Sequence, residues 1–263
     1  MTQTRRTFLM SAPATGAVTI LPFQTRAAGH SAMDTFETPA GPITVRPVDH
    51  ASIVFETPVG VIYVDPVGET SAYADLPPPD LILITHEHGD HYNVDILNAV
   101  VTDGTALITN PAVYDMLPEN LKANASAMAN GDSATALGIT IDAIPAHNLT
   151  EDRMNFHPVG RDNGYVMSFE GFRVYVSGDT EDVAEMRALE NIDVAFVCMN
   201  LPFTMDLEAA ASAVNEFAPT YVYPYHYRGR DGGTQDPMAF AELVAEGTEV
   251  KFAPWYGDEI MPA

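Results

Sequence analysis

Length, composition and charge limit what this chain can be. Its 263 residues are enough for one large domain, and 46% of them are hydrophobic, which supports a well-buried core. Acidic residues number 36 against 12 basic ones, a formal net charge of −24, and this argues against nucleic acid or an anionic membrane as a partner. The single cysteine, Cys198, excludes an intramolecular disulfide and a thiolate metal cluster.

The first 28 residues have the pattern of an export signal. Arg5–Arg6 precedes Phe8–Leu9, a mildly apolar run extends to residue 23, and Ala27–Ala28 supplies a small-residue cleavage region. This resembles a twin-arginine signal, so we expect the twin-arginine export machinery as a partner and a periplasmic or extracellular location. The alternative is a disordered basic tail. The apolar run is too short, and too rich in small residues, to predict a stable membrane span.

Short β-rich runs begin at residue 43, so residues 29–42 are expected to form an exposed N-terminal segment. Strands are predicted at Ile43–Val48, Ser52–Glu56 and Val61–Asp65, with a hairpin turn between the last two. The uninterrupted apolar run Leu81–Ile84 predicts a strand that is buried on both faces.

Helices and strands alternate in the rest of the chain. Asn93 is the predicted N-cap of a helix over Val94–Val100, and Pro111 is expected to begin another. Thr180 is the predicted N-cap of a helix over Glu181–Glu190. Further helices are predicted at Asp206–Phe217 and Pro237–Glu246, and further strands at Ala106–Thr109, Ile139–Pro145, Gly164–Phe169, Arg173–Val176, Asp193–Cys198, Thr220–Tyr223 and Glu249–Phe252. This alternation predicts a four-layer αββα sandwich of the α/β (α+β) class over residues 43–263.

A histidine-rich motif follows the apolar strand, where Thr85–His91 reads T-H-E-H-G-D-H. His86 and His88 are two positions apart, so their imidazoles point to the same side of an extended backbone, and Asp90 and His91 follow at the turn. Imidazole and carboxylate form a zinc-type ligand set, with manganese or iron as alternatives. The spacing suits two metals better than one. The competing interpretation is a solvated loop that is rich in histidine.

Three more candidate ligands weaken that competing interpretation. His147, Asp179 and His226 each lie just past the end of a predicted strand, where loops converge at one edge of stacked sheets. Alone, each is more often a capping or surface residue than a ligand. Together with the histidine-rich motif, they predict one polynuclear metal site.

The order of these residues resembles the metallo-β-lactamase superfamily, whose pattern is H-x-H-x-D-H, a distant His, a strand-end Asp and a final His. The closer resemblance is to the branch that includes L-ascorbate-6-phosphate lactonase and, more remotely, the phospholipase D acting on N-acylphosphatidylethanolamines. Supporting stretches are His50–Ser52, Val64–Pro66, Phe156–Pro158, Ser177–Thr180, Phe203–Asp206 and Pro224–Tyr227. The similarity covers nearly all of residues 43–256.

This resemblance implies a dinuclear metal-dependent hydrolase that uses a metal-bridging hydroxide. It assigns His86, His88 and His147 to one ion, Asp90, His91 and His226 to the other, and Asp179 to the bridge. Many relatives with the Phe-His-Pro stretch have tyrosine where His147 stands, so either His147 or His157 completes the first site. Asp90, which would orient the nucleophilic water and take a proton, and His157 are the candidate catalytic residues.

Two loops, 150–163 and 226–235, have the composition expected for substrate recognition. They carry four arginines in an otherwise acidic protein: Arg153, Arg161, Arg228 and Arg230. This clustering predicts a local positive pocket for a carboxylate or phosphate, whereas the alternative places the arginines in surface charge pairs. The candidate substrate-binding residues are Arg161, Tyr227, Arg228 and His50, although His50 and Asp65 could equally have a structural role.

The leading hypothesis is a hydrolase acting on a small anionic ester, lactone or phosphodiester with two divalent ions, zinc or else manganese or iron. A β-lactamase proper is the rival within enzymes, and a nuclease is disfavoured by the charge. From a different class, an exported metal-binding or scaffold domain would keep the ligands without turnover. The sequence does not predict an oligomeric state.

Overall fold

Two seven-stranded β-sheets organise the fold in a computed structural model that describes residues 33–228 and 235–256. The first sheet consists of β1 (Asp34–Thr38), β2 (Gly41–Asp49), β3 (Ser52–Thr57), β4 (Gly60–Val64), β5 (Leu81–Ile84), β6 (Ala106–Thr109) and β7 (Ala125–Ala127). The second consists of β8 (Ser133–Ala136), β9 (Ile139–Ala146), β10 (Asp162–Phe169), β11 (Phe172–Val176), β12 (Val194–Cys198), β13 (Tyr221–Tyr225) and β14 (Glu249–Val250).

Both sheets have the same topology. Neighbours from β1 to β4 pair antiparallel, and those from β4 to β7 pair parallel. The second sheet repeats this, antiparallel from β8 to β11 and parallel from β11 to β14. The helices are α1 (Val94–Val100), α2 (Pro111–Met116), α3 (Glu119–Lys122), α4 (Ala184–Arg187), α5 (Leu207–Phe217) and α6 (Pro237–Leu243). Because parallel strands end at the same edge of a sheet, this topology gathers their carboxyl-terminal loops.

The alternating side chains of β5 show how the layers of the fold are stacked. Leu81 and Leu83 join the larger core cluster, which also contains residues of the second sheet, whereas Ile82 and Ile84 join a second cluster with residues of α1, α2 and α3. Side chains alternate along a strand, so the two clusters lie on opposite faces of the first sheet. This arrangement confirms the predicted two-sheet sandwich with helices outside.

Several local predictions are confirmed by the structure. The Asn93 side chain accepts hydrogen bonds from two amides of the first turn of α1, as an N-cap does. Pro111 is the first residue of α2, and α5 begins one residue after its predicted start, because Asp206 accepts from the amide of Ala209 as an N-cap. Cys198 is fully buried, and burial raises the pKa of its thiol to about 12, which agrees with a structural role.

Two predictions of local structure were wrong. Residues 34–38 are not an exposed segment, because they form β1, whose Phe36 is only 8% exposed and packs on Tyr221 with ring centroids 5.0 Å apart. Thr180 does not cap a helix at 181, since its hydroxyl bonds to the backbone of His147 and helix α4 begins only at Ala184. In both cases a contact distant in sequence overrides the local pattern.

The predicted export signal, residues 1–28, lies outside the described residues. Among residues 33–228 and 235–256, no helix is long and apolar enough to cross a membrane.

Candidate metal centre

The candidate site lies where loops leave the ends of strands in both sheets. His50 occupies the turn between β2 and β3, and the histidine-rich motif follows β5. Asp179 and His226 follow β11 and β13 of the second sheet. These loops surround a cavity of about 470 Å³, lined by His50, His88, Gly89, Asp90, Phe156, His157, Asp179, Asn200, Phe203 and Arg228.

A first donor group contains three imidazoles, those of His86, His88 and His157, whose potential ligand atoms lie within 4.8 Å of one another. The ring centroids of His86 and His88 are 4.7 Å apart, and that of His157 lies 4.9 and 4.8 Å from them. Three imidazoles form the protein share of a common zinc site.

His157, and not His147, is therefore the third member of the first group. Among the described residues, none of the three donor groups includes His147, and His147 does not line the cavity. Its backbone is held by Thr180 and Glu181, and its Nδ1 is buried without a hydrogen-bond partner. The assignment of His147 to the first ion is thus not supported by its position.

Two further donor groups adjoin the first, and one of them shares His86 with it. His50, Asp90 and His226 make one, and His86, His91 and Asp179 make the other, each with ligand atoms within 4.8 Å of one another. The structure thus brings six of the seven predicted ligands together and adds His50 beside them, with its Nε2 3.4 Å from a carboxylate oxygen of Asp90.

Asp179 lies between the two sides of the site. Its Oδ1 is 3.3 Å from Nε2 of His91 and 3.6 Å from Nε2 of His226, whereas its Oδ2 is 3.5 Å from Nε2 of His157. Ligand atoms about 2.0–2.1 Å from one tetrahedral zinc ion would lie about 3.3 Å apart. The distances from the two carboxylate oxygens of Asp179 to the Nε2 atoms on either side are therefore those expected of a ligand that bridges two ions.

The donor atoms fit a cation because they lack any other partner. Nε2 of His86, His91, His157 and His226 and Oδ1 of Asp179 are all buried without a hydrogen-bond partner among the described residues. A buried polar atom without a partner costs about 1–3 kcal/mol, and five converge here. Metal coordination would satisfy all of them.

Hydrogen bonds at the far nitrogen orient these rings. The Asp65 carboxylate accepts from Nδ1 of His91 at 2.7 Å, and Asp162 accepts from Nδ1 of His157 at 2.9 Å. A proton on Nδ1 leaves the Nε2 lone pair free for a cation. Asp65 also accepts two hydrogen bonds from Thr85, one from its amide and one from its hydroxyl.

The same Thr85 hydroxyl continues this network to a third ring. Because it donates its only proton to Asp65, its oxygen is left to accept from Nδ1 of His86 at 2.9 Å. The amide of Asn200 contacts Nδ1 of His226 at 2.7 Å. Asp162 and Asn200 were not predicted as site residues. Asn200 follows the end of β12, the signal that identified Asp179 and His226, whereas Asp162 begins β10 and carries no such signal.

The charges of the site favour cation binding. Burial lowers the pKa of His86 well below its usual value, so this imidazole stays neutral as a ligand must. Burial also opposes charge on His91, yet the carboxylates of Asp179 and Asp65 outweigh it and raise the pKa of His91 well above its usual value. The excess of negative charge that Asp179 and Asp65 create around His91 is one that a bound cation would offset.

Backbone conformation at the site is also unusual. His50, Asp65 and His226 adopt positive φ angles of 48°, 46° and 48°. Such left-handed conformations are uncommon for residues other than glycine and carry strain. Their concentration at three loops around one cavity shows that the surrounding fold holds these side chains in place.

Two of the four predicted substrate-binding residues line the cavity. Arg228 and His50 line the cavity, and the Arg228 guanidinium lies 4.3 Å from the ring centroid of Tyr256. Tyr227 is only 4% exposed and packs on Tyr256 outside the cavity lining. Arg161 is turned away from the cavity into ion pairs, as the alternative interpretation proposed. Arg230 lies outside the described residues.

Tyr256 was not predicted from the sequence, which carries no local signal for it. Its hydroxyl lies 2.7 Å from Nδ1 of His50 and accepts from the amide of Arg228 at 3.4 Å. Because this oxygen accepts from Arg228, its proton is available for Nδ1 of His50. Nε2 of His50 then carries the ring proton and faces Asp90 as a donor.

Known proteins are similar to this chain in sequence and fold. A family model described as a beta-lactamase superfamily domain matches residues 44–226. A UPF0173 metal-dependent hydrolase of Thermococcus kodakarensis is 30% identical over 175 residues, covering 65% of this chain and 77% of that protein. A crystal structure from Parabacteroides distasonis, described as a metal-dependent hydrolase, is 37% identical with a TM-score of 0.73 and covers 85% of this chain and 99% of its own.

A more distant structure agrees in fold. The metallo-hydrolase Igni18 from Ignicoccus hospitalis has a TM-score of 0.65 at 24% identity, covering 80% of this chain and 94% of its own. The clustered imidazoles and carboxylates of this chain agree with the metal dependence that the names of the relatives state. The chain belongs to the metallo-β-lactamase superfamily, among the UPF0173 metal-dependent hydrolases.

Proposed function

We propose that this protein is a dinuclear hydrolase for a small anionic ester, lactone or phosphodiester, close to the L-ascorbate-6-phosphate lactonase branch. The observation that carries the proposal is the position of Asp179, whose two oxygens face imidazoles on opposite sides of the site. Four unpartnered Nε2 atoms converge on the same region.

The first proposed ligand set is the first donor group, and the second combines members of the other two groups as the family resemblance implies. His86, His88 and His157 would hold the first ion, and Asp90, His91 and His226 the second, with Asp179 shared. Imidazole-rich coordination favours zinc, whereas the carboxylates around the second ion would also accept manganese or iron. His157 is thereby proposed as a ligand, which replaces the catalytic role expected from the sequence.

Two bound divalent ions would supply Lewis acidity and lower the pKa of water toward neutrality. Asp90 has the position for proton transfer, because it lines the cavity, its side chain is 49% exposed, and its carboxylate lies near His226 and His50. The Tyr256 hydroxyl, bonded to Nδ1 of His50, would leave the ring proton on Nε2. That Nε2 proton would keep the Asp90 carboxylate oriented toward the attacking water.

The cavity lining supports an anionic substrate. Among the described residues, Arg228 is the only arginine or lysine that lines the cavity, and no carboxylate of the described residues pairs with it. Phe156 and Phe203 pack edge to face at 5.0 Å and supply an apolar wall. A substrate with one anionic group for Arg228 and an apolar part beside the phenylalanines fits this lining.

Asp90→Asn tests the proposal, because the amide keeps the shape of the side chain but cannot take a proton. We expect kcat on a responsive ester, lactone or phosphodiester to fall by about 10² to 10⁴. Asp95→Asn, an exposed position in the first turn of α1, is the matched control and should leave kcat unchanged. Metal content is measured for both variants, so that loss of an ion is separated from loss of the proton acceptor.

Activity of Asp90→Asn within a few-fold of the parent would remove the proposed role of Asp90. A fully metal-loaded parent protein that turns over no ester, lactone, phosphodiester or β-lactam would instead favour a metal-binding domain without turnover. Hydrolysis of a β-lactam alone would indicate a β-lactamase proper.

A further inference from the structure

Arg161 joins three points around the first donor group. Its Nε donates to Asp162 at 2.6 Å, and its Nη2 donates to Asp162 at 2.9 Å and to the carbonyl of Phe156 at 2.6 Å. Its Nη1 forms an ion pair with Glu87 at 2.7 Å. Four contacts occupy a guanidinium that has five N–H donors, so little of it is left for a substrate.

Each partner of Arg161 is either hydrogen-bonded to a histidine of the first donor group or next to one in the sequence. Asp162 is fully buried and holds Nδ1 of His157. The Phe156 carbonyl belongs to the residue that precedes His157. Glu87 stands between His86 and His88, so its side chain anchors the loop that carries both rings.

The two loops connected in this way are far apart in sequence. His86 and His88 follow β5 of the first sheet, whereas His157 precedes β10 of the second. Each loop thus contributes part of one ligand set, and the relative position of the sheets sets the spacing of the rings. The contact between Arg161 and Glu87 crosses directly from one loop to the other.

We propose that Arg161 is a positioning residue that sets the affinity of the first metal site by tying the loop of His86 and His88 to Asp162 and His157. The inference rests on the ligand sets of the proposed function. It replaces the substrate-binding role that the sequence suggested for Arg161.

Geometry distinguishes arginine from lysine at this position. A planar guanidinium reaches two oxygens of Asp162 and a carbonyl at once, whereas an ammonium acts as a single point charge. Partners that orient ligating histidines commonly contribute 10- to 100-fold in metal affinity. Since Arg161 acts through Asp162 and Glu87, we expect about a tenfold loss of affinity.

The experiment titrates metal-free full-length variants with Zn²⁺ against a competing chelator and, in parallel, with Co²⁺ followed by its visible absorption. Arg161→Gln removes both the positive charge and the planar set of N–H donors, whereas Arg161→Lys keeps only the charge. Glu87→Gln removes the negative charge from the link between the loops but leaves Asp162 bound to Arg161. His157→Ala identifies which binding step belongs to the first site.

Arg187→Gln is the matched control. Arg187 is also partly exposed, at 23% against 24% for Arg161, and it pairs with two carboxylates, Asp182 and Glu216, neither of which belongs to a donor group. Chemical denaturation of each metal-free variant separates loss of metal affinity from loss of stability.

We expect Arg161→Gln and Glu87→Gln to weaken by about tenfold the step that His157→Ala abolishes, and to change the Co²⁺ absorption of that step. Arg161→Lys should restore only part of the affinity, and Arg187→Gln should match the parent. Parent-like affinity in both Arg161→Gln and Glu87→Gln would overturn the inference while leaving the proposed function intact. If His157→Ala still binds both ions, the ligand sets themselves are wrong and the inference falls with them.

Discussion

The surroundings of the ring nitrogens distinguish His157 from His147, the two histidines that the sequence leaves as alternatives for the first ion. Nε2 of His157 is buried, points to the first donor group and is backed by a hydrogen bond from Nδ1 to Asp162. His147 is nearly as buried, at 8% exposure, but its Nδ1 has no acceptor to fix the ring, and the side chain belongs to no donor group of the described residues. Burial of a histidine is therefore a weaker indicator of ligation than the partner at its far nitrogen.

Metal titration of His157→Ala and His147→Ala tests this distinction. Removal of His157 deletes one of three imidazoles, so we expect one ion to be lost per chain or its affinity to fall by at least about 100-fold. His147→Ala should retain both ions with affinities close to those of the parent. The opposite pattern in the two titrations would return His147 to the first site.

At the scale of residues, the sequence predicted the ligands that share a short motif better than those brought together by folding. His86 to His91 could be recognised from spacing alone, because two-residue periodicity and the following turn bring their side chains to one side. His50 and Tyr256 are brought together by a contact that spans 206 positions, and Asp162 is placed by the direction of its side chain toward His157, five positions away. For Arg161 the sequence left a substrate contact and a charge pair as alternatives, because composition identifies a charge but not the carboxylates it faces.

At the scale of elements, the strands must approach closely for their terminal loops to meet. Gly164 on β10 shows how close this approach is, since a Cβ atom there would lie 2.7 Å from the carbonyl oxygen of Ser177 and 2.8 Å from that of Val176. These oxygens belong to the backbone that leads from β11 to Asp179. A side chain at position 164 would therefore push apart the two strands beside the site.

Gly164→Ala should lower the free energy of unfolding by about 1–3 kcal/mol, the usual cost of overpacking where the backbone cannot move freely. Gly104→Ala serves as the control, because no heavy atom lies within 4 Å of its added Cβ and its φ is not positive. Chemical denaturation of both variants measures the difference. Equal stabilities of the two variants would show that β10 and β11 separate without cost.

Elements with a strong local signal were predicted well from sequence. The four apolar residues of β5 correctly indicated burial on both faces, the N-cap of α1 lies at the predicted residue, and α5 begins one residue after its predicted start. The pattern failed for β1, whose alternation is carried by Phe36 alone, and for α4, which is only four residues long. Tertiary contacts decide such short elements, and local propensity does not report them.

At the scale of the whole molecule, export is a prediction that depends on the N-terminal arginine pair. We propose that residues 1–28 direct export through the twin-arginine pathway, which carries proteins already folded and would deliver a metal loaded in the cytoplasm. The proposal depends on Arg5 and Arg6, and on the guanidinium groups of this pair more than on their charge.

Replacing both Arg5 and Arg6 with lysine should stop export, whereas Arg26→Lys, which lies near the expected cleavage region, should not. Cell fractionation followed by immunoblotting measures the periplasmic or secreted fraction of each variant. Normal delivery of the double-lysine variant would remove the export proposal and leave the enzymatic proposal unaffected.

The number of metal ions per folded chain tests the central claim most directly. Elemental analysis of the full-length protein, purified without chelators and supplied with zinc or manganese, should give two transition-metal ions per chain, because the donors on both sides of Asp179 exceed the needs of one tetrahedral ion. His157→Ala, measured in parallel, should give one. A reproducible single ion per parent chain, unchanged by added zinc or manganese, would contradict the dinuclear account.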